Sequence, residues 1–323
     1  MAERLRKEIG RPLTLDGVDL SADSAIIIGC GTAHYAGRVA EQGGQPRARA
    51  RRRASDRVYF WDRFSTGVIT FGGVGVLGAH TWAEKAHLPG YANDPRVDLV
   101  AVCDVDDSHT EQAAKQFTKN GKAPAKFSDF RKVMERDDVQ VIVQGTPDHW
   151  HTLINLAAAK AKKDAYAEKP LTLTIDEGKR LIKAVRSQGI VLQTGTQQRS
   201  DKKFRLACEL VRNGRIGKLK QVNVWVPAGI MEGPFRPTPV PAGFNWDFWL
   251  GQAPQVDYLR ERTHTTFRWW FDYSGGPVTD WGAHHNDIAR WAIGEDGPVD
   301  VEARALTEVI SGGYTTPAQF EAT

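Results

Sequence analysis

Three short stretches of this 323-residue sequence carry residue types able to do chemistry together. The first is Gly73-Val74-Gly75-Val76-Leu77-Gly78, a G-x-G-x-x-G pattern. In a strand–turn–helix setting such glycines have separate duties. One makes the tight turn (Gly73), one lets backbone approach a pyrophosphate (Gly75), and one lets helix and strand pack closely (Gly78). The following helix N-terminus then faces the phosphates with free N–H groups. The second stretch is Glu168-Lys169-Pro170. A lysine at a strand end, partly desolvated beside a cofactor, can exchange a proton with a substrate hydroxyl. The third is Asp280-Trp281-Gly282-Ala283-His284. If helical, it sets Asp280, His284 and Asp287 on one face. A carboxylate beside a histidine orients the ring and raises its basicity, which suits proton abstraction from an alcohol.

Two further groups invite a ligand. Asp148-His149-Trp150-His151 suggests a metal, but no Cys or Glu completes a zinc set at ligand spacing, so no metal site is expected. Trp246, Trp249, Trp269 and Trp270 can stack on a sugar ring or fill a core.

These residues need a scaffold. Residues 64–197 alternate β-branched runs with helical patterns, as βαβ units of a parallel sheet do. The spacing predicts a first strand at Val68–Phe71, a glycine turn, and a helix broken at Pro89-Gly90. A second strand, Val97–Cys103, delivers Asp104 roughly 25 residues beyond Gly78, slightly farther than the usual spacing of about 20. A carboxylate there accepts hydrogen bonds from adenosine ribose hydroxyls. It repels a 2′-phosphate, and Asp106 and Asp107 add to that field, favouring NAD over NADP. Ser108 with Glu111 and Thr174 with Glu177 read as capping boxes. Helices are expected over 128–136, over 152–160 with Leu153, Leu156 and Ala157 on one side, and up to Gly189. Further strands are expected at Val139–Val143, Ala165–Ala167 and Ile190–Gln193. Residues 198–323 are richer in Trp, Pro and Gly and form a second unit; residues 1–63 form an atypical appendage and linker.

Bulk properties narrow the class. With 41% apolar and 25% charged residues the chain reads as globular, and no apolar run is long enough to span a bilayer. Three scattered cysteines argue against a disulfide framework, and no signal peptide opens the chain, so a cytoplasmic protein is expected. The net charge of +4 owes much to Arg47, Arg49, Arg51, Arg52, Arg53 and Arg57, read as a solvated linker rather than a nucleic-acid patch. The turn Ile28-Gly29-Cys30-Gly31 has His34 where a third glycine would stand and is not read as a dinucleotide site.

Taken together the stretches resemble the glucose–fructose oxidoreductase, inositol dehydrogenase and rhizopine-catabolism (Gfo/Idh/MocA) family. The likeness also rests on Ala101–Asp104, Thr146-Pro147-Asp148-His149-Trp150-His151, Gly195–Ser200, Arg268-Trp269-Trp270 and Gly275–His284. It implies a Rossmann domain followed by an α+β domain with a large, open, mostly antiparallel sheet that often forms the oligomer interface. It implies NAD on Gly73, Gly75, Val76, Leu77, Gly78 and Asp104. Thr146, Pro147, His149, His151 and Gln197 would border the cofactor, Glu168 its nicotinamide ribose, and Lys169, Asp280 and His284 would handle the proton. A sugar or cyclitol is the implied substrate. An NAD-dependent glycosidase of the same fold, or a non-catalytic NAD-binding fragment, are the alternatives. Members of this subtype continue well past the position of Thr323, so the second domain is expected to be incomplete. Lys7–Pro12 and Ile27–Gly37 instead resemble the sugar-isomerase part of glutamine–fructose-6-phosphate transaminase.

Overall fold

The computed structural model describes residues 25–28, 73–78, 88–94, 97–295 and 297–323. Its elements, in chain order, begin with strands β1 (Ala25–Ile28) and β2 (Gly73–Leu77), helix α1 (Leu88–Asn93), β3 (Asp98–Cys103) and α2 (Asp107–Gln116). Then follow β4 (Ala125–Phe127), α3 (Phe130–Met134), β5 (Val139–Gln144), α4 (His151–Lys160), β6 (Asp164–Ala167), α5 (Ile175–Gln188) and β7 (Leu192–Thr194). The second unit holds α6 (Lys202–Arg212), β8 (Gln221–Val224), α7 (Trp246–Leu250), α8 (Trp281–Ile293), β9 (Ala303–Ala305) and β10 (Phe320–Ala322).

Six strands form one parallel sheet in the order β4-β3-β2-β5-β6-β7. This is a doubly wound Rossmann sheet, with the reversal of strand order between β2 and β5. Alternating side chains bury on opposite faces, as a pleated strand requires. Val74, Val76, Val141 and Val143 pack with Leu88, Ala113 and Ala114 on one side. Leu77, Ile142 and Ala165 pack with Val133, Ile154 and Ala158 on the other.

The Thr174–Glu177 capping box is present, and α5 ends on Gly189 with φ 67°. The Ser108–Glu111 box is not: Asp106 caps α2 by accepting from the Ser108 N–H, and Glu111 pairs with Lys126. Asp106 wins because a carboxylate two residues upstream reaches the first orphan N–H directly. Pro89 and Gly90 lie in the first turn of α1, where a missing proline N–H is tolerated; the fully buried Leu88 and the packed Tyr91 hold the helix against the sheet, and the helix expected to about His87 lies outside the described residues. In α4 the buried stripe is His151, Ile154, Asn155 and Ala158, and Leu153 is exposed. The anticipated strand Val68–Phe71, the Gly29–Gly31 turn and the arginine run 47–57 lie outside the described residues.

The expected large antiparallel sheet is not formed among the described residues. The second unit shows a two-stranded antiparallel pair, β9–β10, while β8 pairs in parallel with β1. Its core is aromatic instead: Trp246, Trp249, Tyr258, Phe267, Trp270, Tyr273 and Tyr314 cluster together. Trp246, Trp249 and Trp270 are thereby core residues, and Trp269 is only partly buried against them. No helix among the described residues is long and apolar enough to cross a membrane.

Candidate active site

The site lies where the sheet's C-terminal edge meets the second unit. The ends of β2, β3 and β5 are knitted by Gly78 N–H to Cys103 O at 2.8 Å and Gly145 N–H to Leu77 O at 2.9 Å. Gly78 has φ 76°, and a Cβ there would meet the Gly145 and Thr146 backbone at 2.8 Å. Only glycine fits such a turn. Gly73 and Gly75, by contrast, lie inside β2 together with Val76 and Leu77. Gly75 is buried, and a Cβ on it would meet Val133 Cγ1 at 2.8 Å. The roles expected of Gly73 and Gly75 are therefore not theirs. The strand is built from the motif itself, and Gly78 opens the turn.

Asp104 follows β3 as anticipated. Its carboxylate accepts from the Asp106 N–H at 3.0 Å and lies 3.3 Å from His109 Nδ1. Segment 105–107 is held by the second unit, with Asn245 N–H donating to Val105 O and Asp107 N–H to Gly243 O.

The loop after β5 was expected to border a cofactor with Thr146, Pro147, His149 and His151. Thr146 and Pro147 are half-buried, and Gln144 Nε2 donates to Thr146 Oγ1 at 2.6 Å. The two histidines are buried joints. His149 Nε2 lies 3.0 Å from Trp249 O, which also accepts from Trp150 Nε1 at 2.9 Å. Burial pushes the His149 imidazole down to about 4. His151 is wedged between two carbonyls, Nδ1 2.5 Å from Pro170 O and Nε2 2.8 Å from Thr146 O. Burial raises the Asp148 carboxyl despite its neighbours, and Ser274 Oγ donates to it at 2.5 Å. Ser274 in turn meets Thr279, beside Asp280, so the loop also fixes the entry to α8. Sequence reasoning missed this Asp148–Ser274 brace, which has no local signature.

Glu168 and Lys169 follow β6. Glu168 is buried, its N–H donates to Gln144 O, and its carboxylate packs where a Cβ on Gly195 would stand. Lys169 reaches across to the second unit. Its Nζ donates to Asp280 Oδ1 at 2.7 Å and to Asp280 O at 3.0 Å. Arg268 Nε lies 3.3 Å from the same Oδ1. Burial alone would raise the Asp280 carboxyl, but Lys169 and Arg268 outweigh it and hold it below the usual range. Arg268 stands in the Arg268-Trp269-Trp270 run, yet its pairing with Asp280 had not been foreseen.

Asp280 precedes α8 and makes no side-chain cap, because its carboxylate faces the two cations. One turn on, His284 Nε2 lies 3.4 Å from Gln197 Nε2, and one turn further Asp287 takes two hydrogen bonds from Arg199 at 2.6 and 2.7 Å. The shared helix face anticipated from the spacing thus seats against 169 and 197–199. The carboxylate was expected to raise the basicity of His284. Instead, burial first and Lys169 second push the ring down to about 4, over the opposing pull of Glu168 and Asp280. His284 is neutral at pH 7. Its Nδ1 and the Oε1 of Gln197 are buried with no hydrogen-bond partner among the described residues. Orphaned polar atoms at a sheet's C-terminal crevice suit a polar ligand there.

Residues 72–196 match the profile of the Gfo/Idh/MocA oxidoreductase family's NAD-binding Rossmann fold, and residues 220–310 match that family's C-terminal alpha/beta domain. The chain belongs to the Gfo/Idh/MocA family. The Bacillus subtilis oxidoreductase YrbE is 26% identical over 231 residues, covering 72% of this chain and 54% of that protein. Myo-inositol 2-dehydrogenase of Thermotoga maritima is 25% identical over 230 residues, covering 71% and 55%. The chain therefore spans about half the length of these curated relatives. Among solved structures, GenD2 from gentamicin A biosynthesis, in complex with NAD, shares the fold with a TM-score of 0.57 and 22% identity, over 80% of this chain and 63% of its own.

Proposed function

We propose that this Gfo/Idh/MocA chain transfers a hydride between NAD and a hydroxyl or keto carbon of a sugar or cyclitol. The observation that carries the proposal is the meeting of Lys169, Asp280, Gln197 and His284 at the C-terminal edge of the parallel sheet. Gly78, Asp104, Thr146, Pro147 and Glu168 would hold the dinucleotide; Gly78 provides close backbone approach, and Asp104 suits ribose hydroxyls. When bound, the nicotinamide supplies the hydride acceptor or donor. A polyhydroxylated ring agrees with the name of the inositol dehydrogenase relative.

The proposed proton handling draws on the charge state of His284 and the pairing of Lys169. A base must be unprotonated before it acts, and His284 is neutral at pH 7. It is the group proposed to accept the hydroxyl proton. Lys169, anchored by Asp280, is proposed to donate a hydrogen bond to the same oxygen as negative charge develops on it. Gln197 steadies the His284 ring.

A thermal-shift screen with NAD and NADP, each alone and with a panel of sugars and inositols, tests the proposal. NAD is expected to raise the melting midpoint, and a true substrate to give net NADH. Shifts from neither dinucleotide would refute it.

A further inference from the structure

We propose that Asp106, His109 and His264 form a site for a divalent transition-metal ion of the zinc class, separate from the Lys169–His284 centre. One ligand atom from each of these three residues lies within 4.8 Å of the others. Asp106 caps α2, and its Oδ1 accepts from the Ser108 N–H and Oγ, which turns Oδ2 toward His109 Nε2 at 3.7 Å. His109 sits one turn into the same helix. His264 arrives from the second unit, its ring edge-on to His109 with centroids 5.2 Å apart.

Two details mark this as more than packed side chains. First, His109 Nδ1 lies 3.3 Å from Asp104 Oδ2. A ligating histidine usually gives its second ring N–H to a carboxylate, which orients the ring and fixes the tautomer. Here Asp104 stands beside His109 Nδ1 where such a carboxylate would, and Nε2 lies 3.7 Å from Asp106 Oδ2. Second, His264 holds φ 53°, a left-handed backbone rare for a residue with a Cβ. Such backbone persists where its surroundings over-determine it, often at ligand clamps. Two imidazoles and one carboxylate are a zinc-type set, with a fourth position left for water. The ligand atoms need to draw in by about an ångström to reach bond lengths near 2.0–2.1 Å. The ion would clasp α2 to the second unit beside Asp104.

Untagged, chelator-stripped full chain is titrated with Co²⁺ while visible absorption and melting midpoint are followed. One equivalent is expected to give ligand-field bands and a concentration-dependent rise in midpoint. Asp106→Asn keeps a helix-capping side chain, and His264→Asn tolerates the left-handed backbone. Each is expected to weaken Co²⁺ binding at least about tenfold while the metal-free midpoint stays near that of the parent. Absence of bands in the parent overturns the proposal. Equal Co²⁺ affinity in both variants overturns it as well.

Discussion

Lys169 and Asp280 stand 111 positions apart in sequence and meet at 2.7 Å, amine to carboxylate, across the junction of the two units. Neither is fully buried, with side chains 12% and 19% exposed. The pair therefore ties the start of the second unit's α8 to the segment that follows β6.

Replacing Lys169 with Met should lower kcat by about 10²–10⁴-fold, the range for a positioned proton-handling group. Dinucleotide affinity should change little, because the lysine is proposed to act on substrate oxygen. Steady-state NADH production beside a dinucleotide titration checks both halves. Lys169→Arg should not restore activity, since a planar guanidinium differs in shape and donor geometry.

Asp280→Asn leaves Lys169 and Arg268 facing each other without the carboxylate between them. Breaking such a pair by removing one partner costs about 3–5 kcal/mol when fully buried, and roughly half that here because both ends retain some water. Chemical denaturation of the variant checks the loss. An unchanged midpoint would mean that the pair contributes nothing to domain docking.

Gly75 and Gly78 should behave differently although they share one motif. Gly75→Ala pushes a methyl into Val133 and should cost about 1–3 kcal/mol by overpacking, with NAD affinity kept. Gly78→Ala meets backbone and an unfavourable φ, so folding of the turn and NAD binding should both suffer. Isothermal titration with NAD on the two variants separates these outcomes.

His149 and His284 both titrate near 4, below the ordinary 6.5. As pH falls below about 6.5 the unfolded chain takes up protons that the folded chain refuses. Their stabilising contribution is whole above about 6.5 and is lost progressively down to about 4. Each proton of difference changes stability by about 1.4 kcal/mol per pH unit. Denaturation midpoints at pH 7.5, 6 and 5 should fall in that order. A flat profile would contradict the buried, neutral state of both rings.

Asp104→Ser removes the carboxylate proposed to meet the ribose hydroxyls. NAD affinity should drop about tenfold, the loss of one charge-assisted hydrogen bond. The NADP-to-NAD affinity ratio should rise, because repulsion of a 2′-phosphate is relieved. Competition binding with both dinucleotides reads the ratio.

Much of the fold was legible because its signals are local. The β-branched runs of β3 and β5 alternate with helices whose starts and stops carry caps, so a parallel sheet followed from pattern alone. Where two local signals competed, the packed core chose between them. The valines of β2 drew the glycine motif into the strand, leaving Gly78 at its end. Short strand β4 was missed because three residues carry no period.

From residue types and spacing alone one could know that a lysine ends a strand, that Asp280, His284 and Asp287 share a helix face, and that Asp104 follows β3. Only the folded chain decided what those groups face. Lys169 and Arg268 converge on Asp280, Gln197 meets His284, and His149 and His151 become buried joints. The physical reason is range. Caps and periodicity act over a few residues, whereas burial and charge pairing depend on segments that approach one another only after the two units pack, and those same forces turned His284 from an expected strong base into a neutral ring.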